Sequence, residues 1–255
     1  MRSFTLDSYK KFVGIITNNY KSILRFDNYF LSDIPPESFV IFRHDIDRRP
    51  HRALVMAEIE NSLGVCSTYY FRIKKHTFNP TIISKISQLG HEIGYHYESL
   101  SDTDGNMDKA LIDFEYNLDR IRQIVPVKTI SMHGRPFKKY DNRDIWKNLE
   151  NSQYLKHKLN ILGEVYLDID YSDIAYINDT GRNWISNKSN IRDKIISDIN
   201  SDFNNETQLR EALINKKFNK IIFQIHPERW NDNLIPWSLQ YGFDLSVNIV
   251  KSIIK

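Results

Sequence analysis

Asp45 and Asp47, two residues apart in the run His44-Asp45-Ile46-Asp47, are the first side chains here that could do chemistry together. In an extended chain successive side chains alternate, so both carboxylates point one way while His44 and Ile46 point the other. Two carboxylates aimed at one place repel unless a cation or a shared proton relieves them. Either remedy suits catalysis: a hard-oxygen ligand for a metal, and a neighbour available as general base. The competing reading makes one acid the N-cap of a helix starting near Pro50 and pairs the other with Arg48 or Arg49. The basic patch Arg48, Arg49, His51 and Arg52 follows directly and belongs with this motif.

The histidines come next. His91 and His96, in GHEIGYHYE, are five apart. In a strand they face opposite ways and cannot chelate one ion together. His96 lies nearer the strand end and is the candidate ligand, since neutral imidazole suits zinc and similar ions; His91 reads as structural. Glu98 shares the face of His96 and is a candidate further ligand or substrate contact. His133, in SMHGRP, is also a candidate ligand, and Gly134 after it lets backbone approach a ligand closely. Arg135 could orient a carboxylate by bidentate pairing. His226 ends the apolar run IIFQI, is fixed by Pro227, and is poised as general acid or base. His51, His76 and His157 lack acidic partners and read as surface residues. Aromatic rings interleave with these groups at Tyr95, Tyr97, Phe137, Trp184 and Trp230. Flat rings suit the apolar faces of sugars, although Tyr95 reads as core. Tyr97, Trp184, Arg182, Glu228 and Trp230 are the candidate substrate contacts.

What positions these groups is an alternation of helix and strand. An amphipathic helix is expected over 7–24, a strand over 38–43, a helix from Pro50 to Leu63, a β-rich run from Val65 to Ile73, a helix from Pro80 to Leu89 and a strand from Glu92 to His96. A helix over 108–125 and strands over 128–132, 174–177 and 220–225 follow, and 236–253 closes as a helix; 138–173 gives no clear pattern. Four of the strands finish in polar clusters: HDID, YHYE, MHG and HPERW. In an α/β barrel the loops at the carboxyl ends of strands open on one face, so these clusters would converge there.

The order HDID, GHEIGYHYE, SMHGRP, DTGRNW and IHPERW resembles the polysaccharide deacetylase superfamily, the carbohydrate esterases of the family 4 type, and within it a branch with an R-H-D-x-D first motif found among bacterial surface-polysaccharide genes. The resemblance runs from about Arg43 to Trp230. It implies a distorted (β/α)7 barrel, one divalent metal ion (usually zinc) and removal of acetyl groups from sugars. By position, the family's general base falls on Asp45, its first metal histidine on His96 and its general-acid histidine on His226, while its base-steadying arginine matches Arg135 only loosely. Two positions depart: the family's metal aspartate lands on Ile46, leaving Asp47 to supply the ligand one residue later. Its second metal histidine lands on Leu100, so Glu98 or His133 must complete the site.

Composition sets the outer bounds. With 255 residues, 41% of them apolar and 26% charged, the chain is of ordinary globular make-up. Its length fits a single barrel domain, with 1–37 as an N-terminal helical extension and 38–255 as the barrel. A net charge of +3 is too even for a nucleic-acid binder. A mean hydropathy of -0.49 and the absence of a long apolar run argue against a membrane-spanning helix. Cys66 is alone, which excludes an internal disulfide, and in VCSTYYF it reads as a small buried strand residue. With only FVGII as an apolar stretch near the start, a cytoplasmic location is expected. The expected activity is metal-dependent removal of an acetyl or similar acyl group from a sugar or glycan precursor. The alternatives are a metal-dependent C–N hydrolase on a non-sugar substrate and a barrel that binds glycan without turnover.

Overall fold

The computed structural model describes residues 2–185 and 192–254. Its centre is one sheet of eight strands, all pairings parallel: β1 (Ile23–Leu24), β2 (Phe39–Ile46), β3 (Thr68–Phe71), β4 (Glu92–Tyr97), β5 (Thr129–Met132), β6 (Gly163–Glu164), β7 (Ala175–Asn178) and β8 (Lys220–Ile225). Seven lie side by side in the order β6-β5-β4-β3-β2-β8-β7. β1 pairs with the start of β2, on the edge that β3 takes further along. The sheet curls into a half-barrel with flanking helices, the distorted (β/α)7 barrel expected. Among the described residues β6 and β7 do not pair, so the barrel is open there.

Parallel strands joined by crossovers are covered on both sides, and β2 is buried along its whole length. Phe39 and Ile41 share a face with Arg43 and Asp45. On the other face Val40 and Phe42 join the apolar cluster built on Tyr9, Phe12, Val13 and Ile16 of α1 (Leu6–Asn19). Helix ends follow side-chain chemistry. Thr5 caps α1, and Asn205 caps the helix Glu206–Ile214 by accepting from the Gln208 N–H. The helix Pro50–Ser62 begins on proline, with Arg49 left-handed before it and no side-chain cap, so neither Asp45 nor Asp47 serves as its N-cap.

Several local expectations change. The first helix stops at Asn19, because Tyr20 turns extended and Ile23–Leu24 gain backbone pairing with Val40 and Ile41. The helix expected to reach Val125 ends at Arg122, and the 65–73 run is a strand only over Thr68–Phe71. Residues 138–173 hold a 3-10 turn at Asn142–Trp146, a short helix Leu149–Gln153, a π-helical turn Tyr154–Lys158 and β6, none with a sustained period. Cys66 lies outside the strand and is exposed rather than buried. No helix among the described residues is long and apolar enough to cross a membrane.

Candidate metal centre

β2, β4, β5 and β8 deliver their polar ends to one cavity of about 410 Å³, lined by Asp45, Asp47, His96, His133 and His226 together. Five residues spread over 182 positions of sequence thus meet at the carboxyl ends of parallel strands.

One donor atom from each of Asp47, His96 and His133 lies within 4.8 Å of the other two. Asp47 Oδ1 is 3.4 Å from His133 Nε2 and 3.7 Å from His96 Nε2. Ligands about 2 Å from a tetrahedral zinc ion sit roughly 3.3 Å apart, so the three atoms already stand near ligand spacing. Second contacts fix the imidazoles. His96 Nδ1 donates to the Ser131 carbonyl at 2.9 Å and His133 Nδ1 to Glu98 Oε2 at 2.8 Å. Both acceptors can only accept, so each ring presents Nε2 to Asp47. Asp47 Oδ1 is buried and makes no hydrogen bond. A buried carboxylate oxygen without a donor, faced by two imidazole nitrogens, is suited to hold a cation. The donor set, two imidazoles and one carboxylate, is one that zinc accepts. Burial works to raise the Asp47 carboxyl, but His133 and Arg72 outweigh it and hold it well below its ordinary range. Burial likewise lowers His133, yet Asp47 and Glu98 carry it up to about 9.

Asp45 is held differently. Arg43, two residues earlier on the same face of β2, donates Nε to Oδ1 at 2.9 Å and Nη2 to Oδ2 at 2.8 Å. Gln224 of β8 adds a 2.7 Å bond to Oδ2. Arg43 is buried, with its guanidinium 4.5 Å from the Tyr166 ring. Burial raises the Asp45 carboxyl, but Arg43, His96 and His226 prevail and leave it ionised below its ordinary value. His226 donates Nδ1 to Asp179 Oδ1 at 2.6 Å, which leaves Nε2 as its titrating atom. Asp179 also accepts from the His226 N–H, Arg229 Nη1 and Trp230 Nε1. Burial and Arg229 lower His226, but Asp179 leaves it above its ordinary value. The cavity thus carries a candidate cation site, an ionised carboxylate and a histidine whose protonated form is favoured.

Other candidates are placed elsewhere. Glu98 is not turned to the triad: both its oxygens take Arg72 Nη2, and Lys74, Arg135 and His133 close around it. It lies behind His133 and orients it. Arg135 pairs with Glu98 and stands 3.6 Å from Asp102, so the arginine steadying Asp45 is Arg43. Tyr97 is buried, its hydroxyl accepting from Trp146 Nε1 and its ring packed on Phe114. Trp184 stacks on Phe4, and Trp230 packs among Phe4, Tyr9 and Phe12. Both are core; the work of Trp230 is to anchor Asp179. Arg182 pairs with Asp244 and lies over Trp237 outside this cavity. Glu228 is buried off the cavity wall, its carboxyl pushed by burial up to about 7. The rings that do line the cavity are Phe137 and Phe243. His91 accepts from the Ser67 N–H and contacts the Ala57 carbonyl, far from any ligand role. The arginine clamp had a signal in the sequence, the i, i+2 spacing of Arg43 and Asp45; Gln224 had none.

No protein-family model matches this chain, and no curated protein matches it. Among solved structures the chain is similar to a mutant of a CE4 family pseudoenzyme with restored enzymatic activity, at 12% identity and a TM-score of 0.46 over 85% of this chain and 67% of that one. It is also similar to the Xyl-CE4 domain of a multidomain xylanase from the hindgut metagenome of Trinervitermes trinervoides, at 17% identity and a TM-score of 0.41 over 83% and 84% of the two chains. A family 4 carbohydrate esterase from Bacillus anthracis matches at 11% identity and a TM-score of 0.39, over 92% and 84%.

Proposed function

We propose that this chain is a metal-dependent hydrolase that removes an acetyl or similar acyl group from a sugar or glycan precursor. In this reading residues 1–255 act as one domain, in the cytoplasm, in the making of a bacterial surface polysaccharide. The observation that carries it is the unpartnered, buried Asp47 Oδ1 facing His96 Nε2 and His133 Nε2, beside a second carboxylate and a histidine on the same cavity. Asp47, His96 and His133 would hold the ion, zinc by the donor set. When bound, a divalent ion polarises the acyl carbonyl and makes a neighbouring water more acidic.

The remaining roles belong to the chain. Asp45, kept ionised by Arg43, accepts the proton of the attacking water on its carboxylate. Arg43 and Gln224 hold that carboxylate in one orientation as it does so. His226, whose protonated form is favoured by its bond to Asp179, delivers a proton from Nε2 to the departing nitrogen or oxygen. The motif resemblance from Arg43 to Trp230 supports acyl transfer to water over other reactions of such a site.

Elemental analysis of the purified protein, followed by acetate release from a panel of acetylated sugars, tests this reading. About one zinc per chain with acetate release in the wild type, and zinc retained but release abolished in Asp45→Asn, is the expected result. Undiminished release by a folded Asp45→Asn protein would end it. The reading without turnover draws on the three hydrogen bonds that Asp45 already accepts, which make it a weak base. A protein that holds zinc and binds acetylated sugar yet releases no acetate would favour that reading.

A further inference from the structure

The cavity that holds the candidate centre is also lined by Arg48, Arg135, Lys138 and Lys251. Four carboxylates share that lining, and each has partners of its own. Asp45 is clamped by Arg43, Asp47 belongs to the metal triad, and Asp244 is paired with Arg182. The fourth, Asp193, lies where a Cβ on Gly134 would fall. Arg48 is the informative cation. It follows Asp47 directly, is half-buried, and lies with its guanidinium 4.0 Å from the Phe243 ring. Among the described residues it makes no hydrogen bond or ion pair. Glu228 feels the Arg48 charge from nearby, but burial keeps that carboxyl up at about 7, so it is a weak counter-charge. A guanidinium kept half out of water without a bonded carboxylate is poised for an anion that arrives with a ligand. A divalent ion at the triad would add two positive charges against the single negative charge of Asp47.

We propose that the acyl-bearing substrate carries a phosphate or diphosphate, bound by Arg48, while its acyl group reaches the triad. Arg135 and Lys138, already paired with Glu98 and Asp104, add only their positive field to that side of the cavity. The proposal rests on the hydrolase reading for the position of the acyl group. Two kinds of molecule share the chemistry: a soluble sugar phosphate or nucleotide sugar, and a lipid-linked sugar diphosphate. The helix Leu234–Ile254 gives reason to include the second. It lines the cavity through Phe243, Val247 and Lys251, while its Leu239, Ile249 and Ile253 are more than half exposed.

Calorimetry on the zinc-loaded protein decides the matter, with N-acetylglucosamine 1-phosphate, UDP-N-acetylglucosamine and a polyprenyl diphosphate-linked N-acetylglucosamine in detergent micelles, each against methyl N-acetylglucosaminide. At least one phosphorylated ligand should bind about tenfold tighter or better than the neutral glycoside, with the gap narrowing as salt is raised. Arg48→Ala should remove most of that gap and leave the zinc content unchanged. Which arm binds tightest tells soluble from lipid-linked substrate. Equal binding of neutral and phosphorylated ligands, or a gap untouched by Arg48→Ala (phosphate held by the ion alone), would overturn the proposal. Acetate release in the same samples keeps the two readings apart. Phosphate-dependent binding without release leaves the anion site standing and sinks the hydrolase, and release without phosphate preference does the reverse.

Discussion

At the scale of single residues, the centre turns on which side chain completes the pair Asp47 and His96. His133 offers Nε2 to Asp47, whereas Glu98 spends its carboxylate on Arg72, Lys74, Arg135 and His133. His133→Ala should therefore abolish tight zinc binding. Glu98→Gln should keep one zinc per chain but weaken it by roughly 10–100-fold, the usual effect of losing a group that orients a ligand. Equilibrium dialysis against a competing chelator measures both, and the opposite ranking would make Glu98 the ligand. The two residues looked alike in the sequence for a physical reason. Glu98 stands two after His96, and in a strand that spacing means one face. The strand ends at Tyr97, and the backbone of Glu98 (φ -145°, ψ 24°) turns into the short helix Ser99–Asp102, so the alternation no longer holds. Leu100, where the resemblance places a metal histidine, is buried in that helix.

At the scale of elements, β2 separates two polar clusters by its pleat. Arg43, Asp45 and Asp47 serve the cavity, while His44 turns to the other face and meets Glu60 of the helix Pro50–Ser62 at 2.7 Å. Glu60 also accepts from the hydroxyls of Tyr9 and Tyr69, and the His44 ring stacks on Tyr69. This buried knot ties α1, β2, β3 and that helix together without touching the candidate metal site. Glu60→Ala should cost about 3 kcal/mol or more of stability by leaving those donors unsatisfied. Zinc content per folded chain should stay the same, as thermal denaturation and metal analysis on one preparation would show. A loss of zinc from the folded variant would mean that the two faces are not independent. The pleat explains what the sequence discloses. Polar residues at the ends of β2, β4, β5 and β8 are legible because parallel strands send their carboxyl ends to one rim. The aromatic residues beside them are not, since a ring next to a polar group fits the core as well as a sugar. Trp184 and Trp230 went to the core with Phe4 and Phe12, and Phe137 and Phe243 took the cavity wall. The 138–173 stretch was opaque because its short turns carry no period to read.

At the scale of the whole molecule, buried carboxyls of two kinds set the pH range of stability. Burial raises Glu60, but His44 and His91 overcome it and hold the carboxyl down at about 2 against an ordinary 4.5. Such a group stabilises the fold above its unfolded value, and that support is lost as the pH falls from about 4.5 towards 2. Glu92 behaves oppositely. Burial, with Asp27 adding to it, pushes its carboxyl up to about 7, although Thr68 and Thr129 hydrogen-bond to it. The folded chain then holds a proton that the unfolded chain has released, so the contribution is intact below about 4.5 and fades as the pH rises through 7. Glu164, which burial also brings to about 7, adds to this decline. Stability should therefore be greatest on the acid side of neutrality, between these two windows. Glu92→Gln isolates the upper one, because a neutral amide stands in for the protonated acid and has no proton to lose. The full shift corresponds to on the order of 3 kcal/mol at alkaline pH, or several degrees in Tm for a chain of this length. The melting temperatures of variant and wild type should lie close together near pH 4.5 and separate by pH 8, with the variant the more stable. A gap that stays constant from pH 4.5 to 8 would show that Glu92 is already ionised in the fold, with Thr68, Thr129 and the Asp27 N–H solvating its charge better than burial penalises it.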